Sequence, residues 1–425
     1  MRTIMGKVLQ AITGSTKRIV GIMAHDFQRV FTNPVAAIIA VGVMVLPSLY
    51  AWFNIQASWD PYGSTDNISV AVSNVDEGTV VQGMELNVGK SIVESLAENE
   101  QIGWKFVNKE KALAGVRSGK YYAAVVIPED FSKNLMRGEQ SPVIFYSDMS
   151  ILLNYKGFLI ALTEVTMDLG SKLQVAALGG ATPEQAKMAM SPIPYSSITL
   201  YNPESGFASF LIPAVLILVL QQSLILGIGL LAGGIYEHKK LHRYYSNREM
   251  MHNNIMHIVF GKAICYYSLY IVSTMYILHV VPWLFKYPQI GNQWEIYAFI
   301  APFLLSSIFF GMTLSVFVRE RETSFLLFVF TSLLFLFISG ITWPRYAMPE
   351  IWKIIGAIIP STWGIEGFVR MNTTGASISD VHDAFINLWI LTGVYFITAC
   401  LAYRYQIWKD KRRGFRGKIE ENYQV

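Results

Sequence analysis

Charge is what this sequence has least of. Asp, Glu, Lys and Arg make up 15% of its 425 residues, against about a quarter in a soluble chain of this length. The shortfall is gathered into long apolar runs, which excludes an ordinary water-soluble domain and points to an integral membrane protein. Cysteine is nearly missing. Cys265 and Cys400 both fall inside apolar runs, so neither a disulfide framework nor a zinc site can be built from them. The net charge of +4 is too small to imply a nucleic-acid partner. Catalytic spacing is lacking as well. His238 and His242 stand four apart, but no His-Glu-x-x-His pattern and no carboxylate at ligand spacing accompany them. No catalytic residue and no metal site are expected, and the third absence concerns nucleotide.

The stretch GMELNVGKS, residues 83–91, has the look of a phosphate-binding loop. Such a loop needs four residues between its first glycine and the Gly-Lys pair; here Gly83 and Gly89 are separated by five. NVDEGTVVQ also intervenes between the preceding apolar strand and the stretch. The spacing excludes a nucleotide nest, and the residues read instead as part of one exposed helix, VQGMELNVGKSIVESLAEN.

What is present is six apolar runs, each near the roughly 20 residues a spanning helix requires. They cover Pro34–Phe53, with Pro47 inside it, Ser209–Gly234, about 258–285, Tyr297–Val318, Ser324–Trp343 and about 388–408. Six spans put both ends on one side, and basic residues indicate which. Arg2, Lys7, Lys17, Arg18 and Arg29 precede the first span. Lys239, Lys240, Arg243 and Arg248 follow the second, Arg319 and Arg321 lie between the fourth and fifth, and KDKRRGFRGK follows the sixth. The loop between spans three and four offers only Lys286. Both termini are therefore expected to be cytoplasmic, with residues 409–425 a basic tail.

Residues 54–206 form one long insertion between the first two spans, on the outer side by the same reasoning. ISVAVSN, IGWKFVN, YYAAVVIP and PVIFYSD alternate with helical stretches and end in a long helix, residues 151–178. This alternation predicts a small α/β domain with a mixed sheet. Asp60, Asp66, Asp76 and Glu77 lie in turn-like sequence, where capping and solvation are expected. The fold class is thus an α-helical integral membrane protein of six transmembrane helices with a small extracytoplasmic α/β domain.

Four stretches resemble the permeases of type-2 ABC exporters, the class with one large outer loop after the first span. They are VVIPEDFSKNLMRGEQSPVIFYSD, YNPESGFASFLIPAVLILVL, the FGK at Phe260–Lys262, and Ser339–Val381, where Gly340, Pro344, Met348, Pro349, Pro360, Arg370 and Gly375 occupy the pattern positions. The opening of the outer domain, ISVAVSNVDEG through KYYAAVVIPEDFSKNL, is similar to the phage-infection-protein branch of these membrane proteins. The resemblance implies a bacterial inner-membrane permease with no ATPase site and no cofactor of its own. ATP would be used by a separate cytoplasmic ABC ATPase subunit. A second permease copy or a paralogue would complete the path, and a periplasmic adaptor is a further conceivable partner besides membrane lipid. One departure stands out. After the second span the family shows a Gly-Thr pair, which YEHKKLHRYYSNREMMHNNIMH, residues 236–257, lacks.

Within that frame residues 1–33 contain an amphipathic helix, TKRIVGIMAHDFQRVFTN. It puts Ile19, Val20, Ile22, Met23, Phe27, Val30 and Phe31 on one half of the wheel and Lys17, Arg18 and Arg29 elsewhere. It serves either as an anchor or as a contact for the ATPase. Arg18, Arg29, Glu237, His238, Lys239, Lys240 and Arg243 are the candidate coupling residues; the alternative for the loop is a solvated positive-inside cluster. Gln221 and Gln222, with Ser306 and Ser307, either bond helix to helix or line a path. Residues 344–380, with Pro344, Pro349 and Pro360, form a re-entrant outer segment in which Glu366 and Arg370, four apart, are expected to pair. The rival reading is a membrane scaffold, a phage receptor or secretion-apparatus component, that transports nothing.

Overall fold

The computed structural model describes residues 2–58, 68–81, 84–99, 102–147, 152–177, 188, 207–237, 254–285 and 289–423. The chain divides into two compact units. One comprises Met1–Gln56 with Ala208–Val425, the other Ala57–Phe207.

The membrane unit begins with α1 (Arg2–Thr32), longer than the sequence pattern indicated, and α2 (Pro34–Ser58). Asn33 separates them. Its side chain accepts from the amides of Val35 (3.1 Å) and Ala36 (3.3 Å), so it caps the second helix and fixes the elbow.

The smaller unit is built on a four-stranded sheet. Its elements are β1 (Ser69–Asn74), β2 (Thr79–Val81), β3 (Met84–Leu86), α3 (Val88–Glu98), β4 (Gly103–Phe106), α4 (Lys109–Arg117), β5 (Ala123–Ile127), α5 (Phe131–Met136), β6 (Ile144–Ser147) and α6 (Leu152–Ala177). The order is β4-β1-β5-β6, parallel except for β6, and β2 pairs with β3 as a separate hairpin. The expected mixed α/β sheet is present. Strand β5 is buried along its whole length, the sign of a central strand covered on both faces. Val70, Val72, Val125 and Ile127 point to a core shared with Ile92, Leu96 and Phe158. Ala71 and Ala124 face the other side with Ala112 and Tyr121.

The single helix expected over VQGMELNVGKSIVESLAEN is corrected. Met84–Leu86 is a strand, and the helix starts only at Val88. Asn87 sets that boundary, its side chain accepting from the Lys90 amide at 2.7 Å, which ends the helix in the amino-terminal direction.

The remaining helices of the membrane unit are α7 (Phe207–Glu237), α8 (Ile255–Met275), α9 (Val281–Leu284), α10 (Gln293–Leu314), α11 (Arg321–Ile338), α12 (Glu350–Ala357), α13 (Pro360–Val369) and α14 (His382–Tyr423, 42 residues). Among the described residues, six helical stretches are long and apolar enough to cross a membrane: Pro34–Phe53, Leu211–Tyr236, Ile255–Leu284, Gln293–Phe317, Arg321–Ile338 and His382–Lys409. They coincide with the six runs read from the sequence. The second span is the post of the bundle, 89% of its apolar stretch being buried, against 17% for the fifth.

Between spans five and six, prolines time the chain. Pro344 precedes a short 3-10 turn, Pro349 precedes α12, and Pro360 is the first residue of α13, where a missing amide costs no hydrogen bond. The expected Glu366–Arg370 pair is not formed. Glu366 instead meets Arg345 at 2.8 Å, and the Arg345 guanidinium lies 4.5 Å over the Trp363 ring. Trp363 and Glu366 are three apart on α13, so one face offers both an aromatic surface and a carboxylate to the same cation.

Candidate functional site

At the end of the bundle where span two finishes and spans three and five begin, α1 packs along α8. Ile22, Asp26 and Val30 follow one another at four-residue intervals and are all buried, so the packed face of α1 carries a carboxylate amid apolar groups. Gly261 is the point of closest approach. A Cβ there would sit 2.7 Å from Ile22 Cγ2 and 3.1 Å from the Ile19 carbonyl, so only glycine admits the helix at this depth. The next residue, Lys262, reaches Asp26 with an Nζ–Oδ2 distance of 3.4 Å, the two side chains being 4% and 10% exposed.

A buried ion pair is a costly way to hold two helices. Desolvation of each charge costs several kcal/mol, and apolar packing of the same volume does as well or better for stability alone. Ionisable groups at membrane depth are therefore read first as functional. Arg321, the first residue of α11, joins the crevice that Asp26 and Lys262 line. Its guanidinium lies where a side chain on Gly234 would be, 2.8 Å from that site, and Gly233 faces the Glu320–Arg321 peptide. The charged groups thus join four elements: α1, the second span, the third and the start of the fifth.

Among the described side chains, none of the candidate coupling or path residues singled out from sequence lines this crevice. Arg18 is exposed on α1, and Arg29 belongs to the last turn of the same helix. Glu237 is the last residue of α7, while His238, Lys239, Lys240 and Arg243 lie outside the described residues. Gln221 and Gln222 are buried and cross-link helices. Gln221 Nε2 donates to Ser361 Oγ (3.2 Å) and its Oε1 accepts from Ser307 Oγ (3.4 Å). Gln222 Oε1 accepts from Thr331 (3.3 Å). Ser306 bonds the Phe303 carbonyl of its own helix at 2.9 Å. Sequence reasoning gave Asp26 no role, Lys262 only its place in the FGK stretch and Arg321 only a part in the basic-residue count that oriented the spans. The signal was there: a lysine inside the third apolar run and one carboxylate on the apolar face of an amphipathic helix.

The Gly-Lys-Ser stretch now has a geometric reading. The first three amides of α3 are all taken: Val88 donates to Ser132 Oγ (2.8 Å), Gly89 to Asp76 Oδ2 (3.1 Å) and Lys90 to Asn87. Asp76 also accepts from the amides of Ser132 (3.0 Å) and Gly78 (3.3 Å) and from Ser132 Oγ. Its carboxylate stands where a phosphate would sit in a nucleotide-binding loop. Asp76 does cap a helix, as expected, but it is buried rather than solvated. Glu77 is exposed, and Asp60 and Asp66 lie outside the described residues. Among the described residues, no group of three His, Cys, Asp or Glu side chains is placed to hold a metal ion.

Known proteins resemble parts of this chain. A Bacillus subtilis (strain 168) protein, "Uncharacterized protein YhgE", is 36% identical over 110 residues, 26% of this chain and 14% of the relative. "Type VII secretion system accessory factor EsaA" of Staphylococcus aureus (strain USA300) is 31% identical over 72 residues, 17% of this chain and 7% of that protein. The chain therefore spans only a small part of the length of these relatives. The match to a whole family is far broader, running over residues 35–401, from the first span into the sixth, and by it the chain belongs to the ABC-2 family transporter proteins.

Proposed function

We propose that this chain is the membrane-spanning permease of an ATP-driven exporter, worked by a separate soluble ATPase subunit. The observation that carries the reading is the Asp26–Lys262 pair, which clasps α1 to the third span. A helix that served only as an anchor would need apolar packing alone. A carboxylate set against a lysine inside that packing instead makes a displacement of α1 a displacement of the third span. In this reading the excess of basic residues marks this end and both chain termini as cytoplasmic and residues 54–206 as the outer insertion, and the ABC-2 family membership supports a bacterial inner membrane.

In this scheme the ATPase presses on α1 and on the loop after span two, where Arg18, Arg29, Glu237, His238, Lys239, Lys240 and Arg243 are the candidate contacts. The clasp passes the push to the third span, and Arg321 brings in the fifth. ATP is consumed by the partner in this scheme; on this chain, the Gly-Lys-Ser stretch has its first helix amides bonded to its own side chains. Six spans make half a pathway, completed by a second copy or a paralogue, and binding of ATP shifts the pair between inward- and outward-facing states. Gln221, Gln222, Ser306 and Ser307 are the candidate path residues at mid-span, and the α/β unit is the place for an adaptor.

A second reading, a membrane scaffold in a secretion apparatus, draws on the name of the EsaA relative and on the missing Gly-Thr pair after span two. Purification of the chain from its native membrane in mild detergent separates the two. A stoichiometric ATP-binding subunit, whose association is lost in a Gly261→Leu variant that pushes α1 off the third span, supports the permease. Recovery of secretion components without any ATPase overturns it.

A further inference from the structure

The opposite end of the membrane unit carries two irregular helix turns that no role above uses. In the third span, Pro282 has no amide to offer the Leu278 carbonyl four residues earlier, and its ring would strike that carbonyl in a regular helix. The helix responds by widening into a π turn at Tyr276–Val280. The second irregular turn, Arg370–Thr374, ends α13 and is closed by Gly375 in the left-handed region, φ +72°. Turns of this kind recur at functional positions in helices.

One side chain joins them. Gln289 Nε2 donates to the Leu278 carbonyl at 2.7 Å and to Asn372 Oδ1 at 3.0 Å. The acceptor stranded by Pro282 and the second π turn are thus held by one amide group. The backbone repeats the link, for the Ile290 amide donates to the Asn372 carbonyl at 3.0 Å. Gly291 is seated so closely that a Cβ would stand 2.2 Å from the Met371 carbonyl. Asn372 itself is 1% exposed, so its carboxamide has no water to fall back on and loss of Gln289 is felt.

We infer that Gln289 is a positioning residue that yokes the two π turns into one hinge. The end of the third span and the segment after α13 swing as a single body when this end of the bundle opens. The role of that opening in export rests on the permease reading; the yoke itself does not.

The test is amide hydrogen exchange on the full chain in lipid nanodiscs. Gln289→Ala is expected to speed exchange in residues 276–285 and in 370–376 together, on the order of tenfold in each, the factor expected for the net loss of about 1.4 kcal/mol of hydrogen bonding. Asn372→Ala should do the same in both segments. The double variant should exchange no faster than Gln289→Ala alone, because that change already removes both side-chain bonds of the yoke. Should Gln289→Ala fail to give a monodisperse protein, Gln289→Met, which keeps the length, and Gly291→Ala, which lifts the loop from Met371, are expected to give the same paired signature. Acceleration confined to one segment, or single effects that multiply in the double variant, would overturn the yoke. The measurement uses this chain alone, so failure to find an ATPase leaves its outcome untouched.

Discussion

Among the described residues each compact unit buries one aspartate, and the two are met in opposite ways. In the α/β unit Asp76 is met by neutral donors, the amides of Gly78, Gly89 and Ser132 with the Ser132 hydroxyl. In the membrane unit Asp26 is met by a full charge on Lys262. A water-facing domain can turn backbone toward a carboxylate, because loops and helix starts offer unpaired amides. A spanning helix has spent its amides on itself, so a carboxylate against it needs a side-chain cation. The first arrangement is a local knot of loops. The second ties whole helices, and it is the one that can transmit motion.

Breaking the two sites should show the contrast, the charged one most strongly. Asp26→Ala removes the carboxylate that faces the buried Lys262 and is expected to cost about 3–5 kcal/mol, read as a fall in the thermal midpoint and in monodisperse yield. Asp26→Leu with Lys262→Met should return stability to within about 1 kcal/mol of the parent yet, on the permease reading, abolish stimulation of the proposed ATPase subunit. A stable double variant with full stimulation would reduce the pair to a packing device.

Asp76→Ala is expected to cost less, about 3 kcal/mol, because neutral donors are orphaned rather than a charge. The loss should appear as faster amide exchange in α3 and α5 with the membrane unit unchanged. Spread of the effect into the spanning helices would break the comparison. The smallest effect belongs to Gln221→Leu, which removes two side-chain bonds at mid-span. Such bonds are worth about 0.6 kcal/mol each on average in membranes, so a shift of about 1 kcal/mol is expected in the unfolding midpoint. An export defect without that shift would move Gln221 from packing to path.

The spans were legible because each is a run of apolar residues whose length alone carries the signal. The α/β alternation was legible from strands such as AAVVI. The hairpin strands Thr79–Val81 and Met84–Leu86 have three residues each, too few for a period to register, and the run of helix formers beyond Asn87 masked them. The site was harder. Asp26 reads as an interruption of an apolar helix face until Lys262, far away in sequence, is placed beside it. Glu366 had a basic residue four positions on, which local spacing favours, but Trp363 and Arg345 offered a better arrangement from 21 residues back. Sequence spacing sees partners on the same helix and misses those brought together by crossing helices.

The last helix has a geometric consequence of its own. Of the 42 residues of α14, the apolar stretch His382–Lys409 takes 28. The remainder continues as helix for about 20 Å at 1.5 Å per residue, carrying the KDKRRGFRGK charges beyond Lys409. It is a lever arm without a joint: a tilt of about 5° within the bilayer sweeps its far end through about 2 Å. Small rearrangements among the spans are therefore written, enlarged, in the position of a cluster of positive charge beyond the membrane.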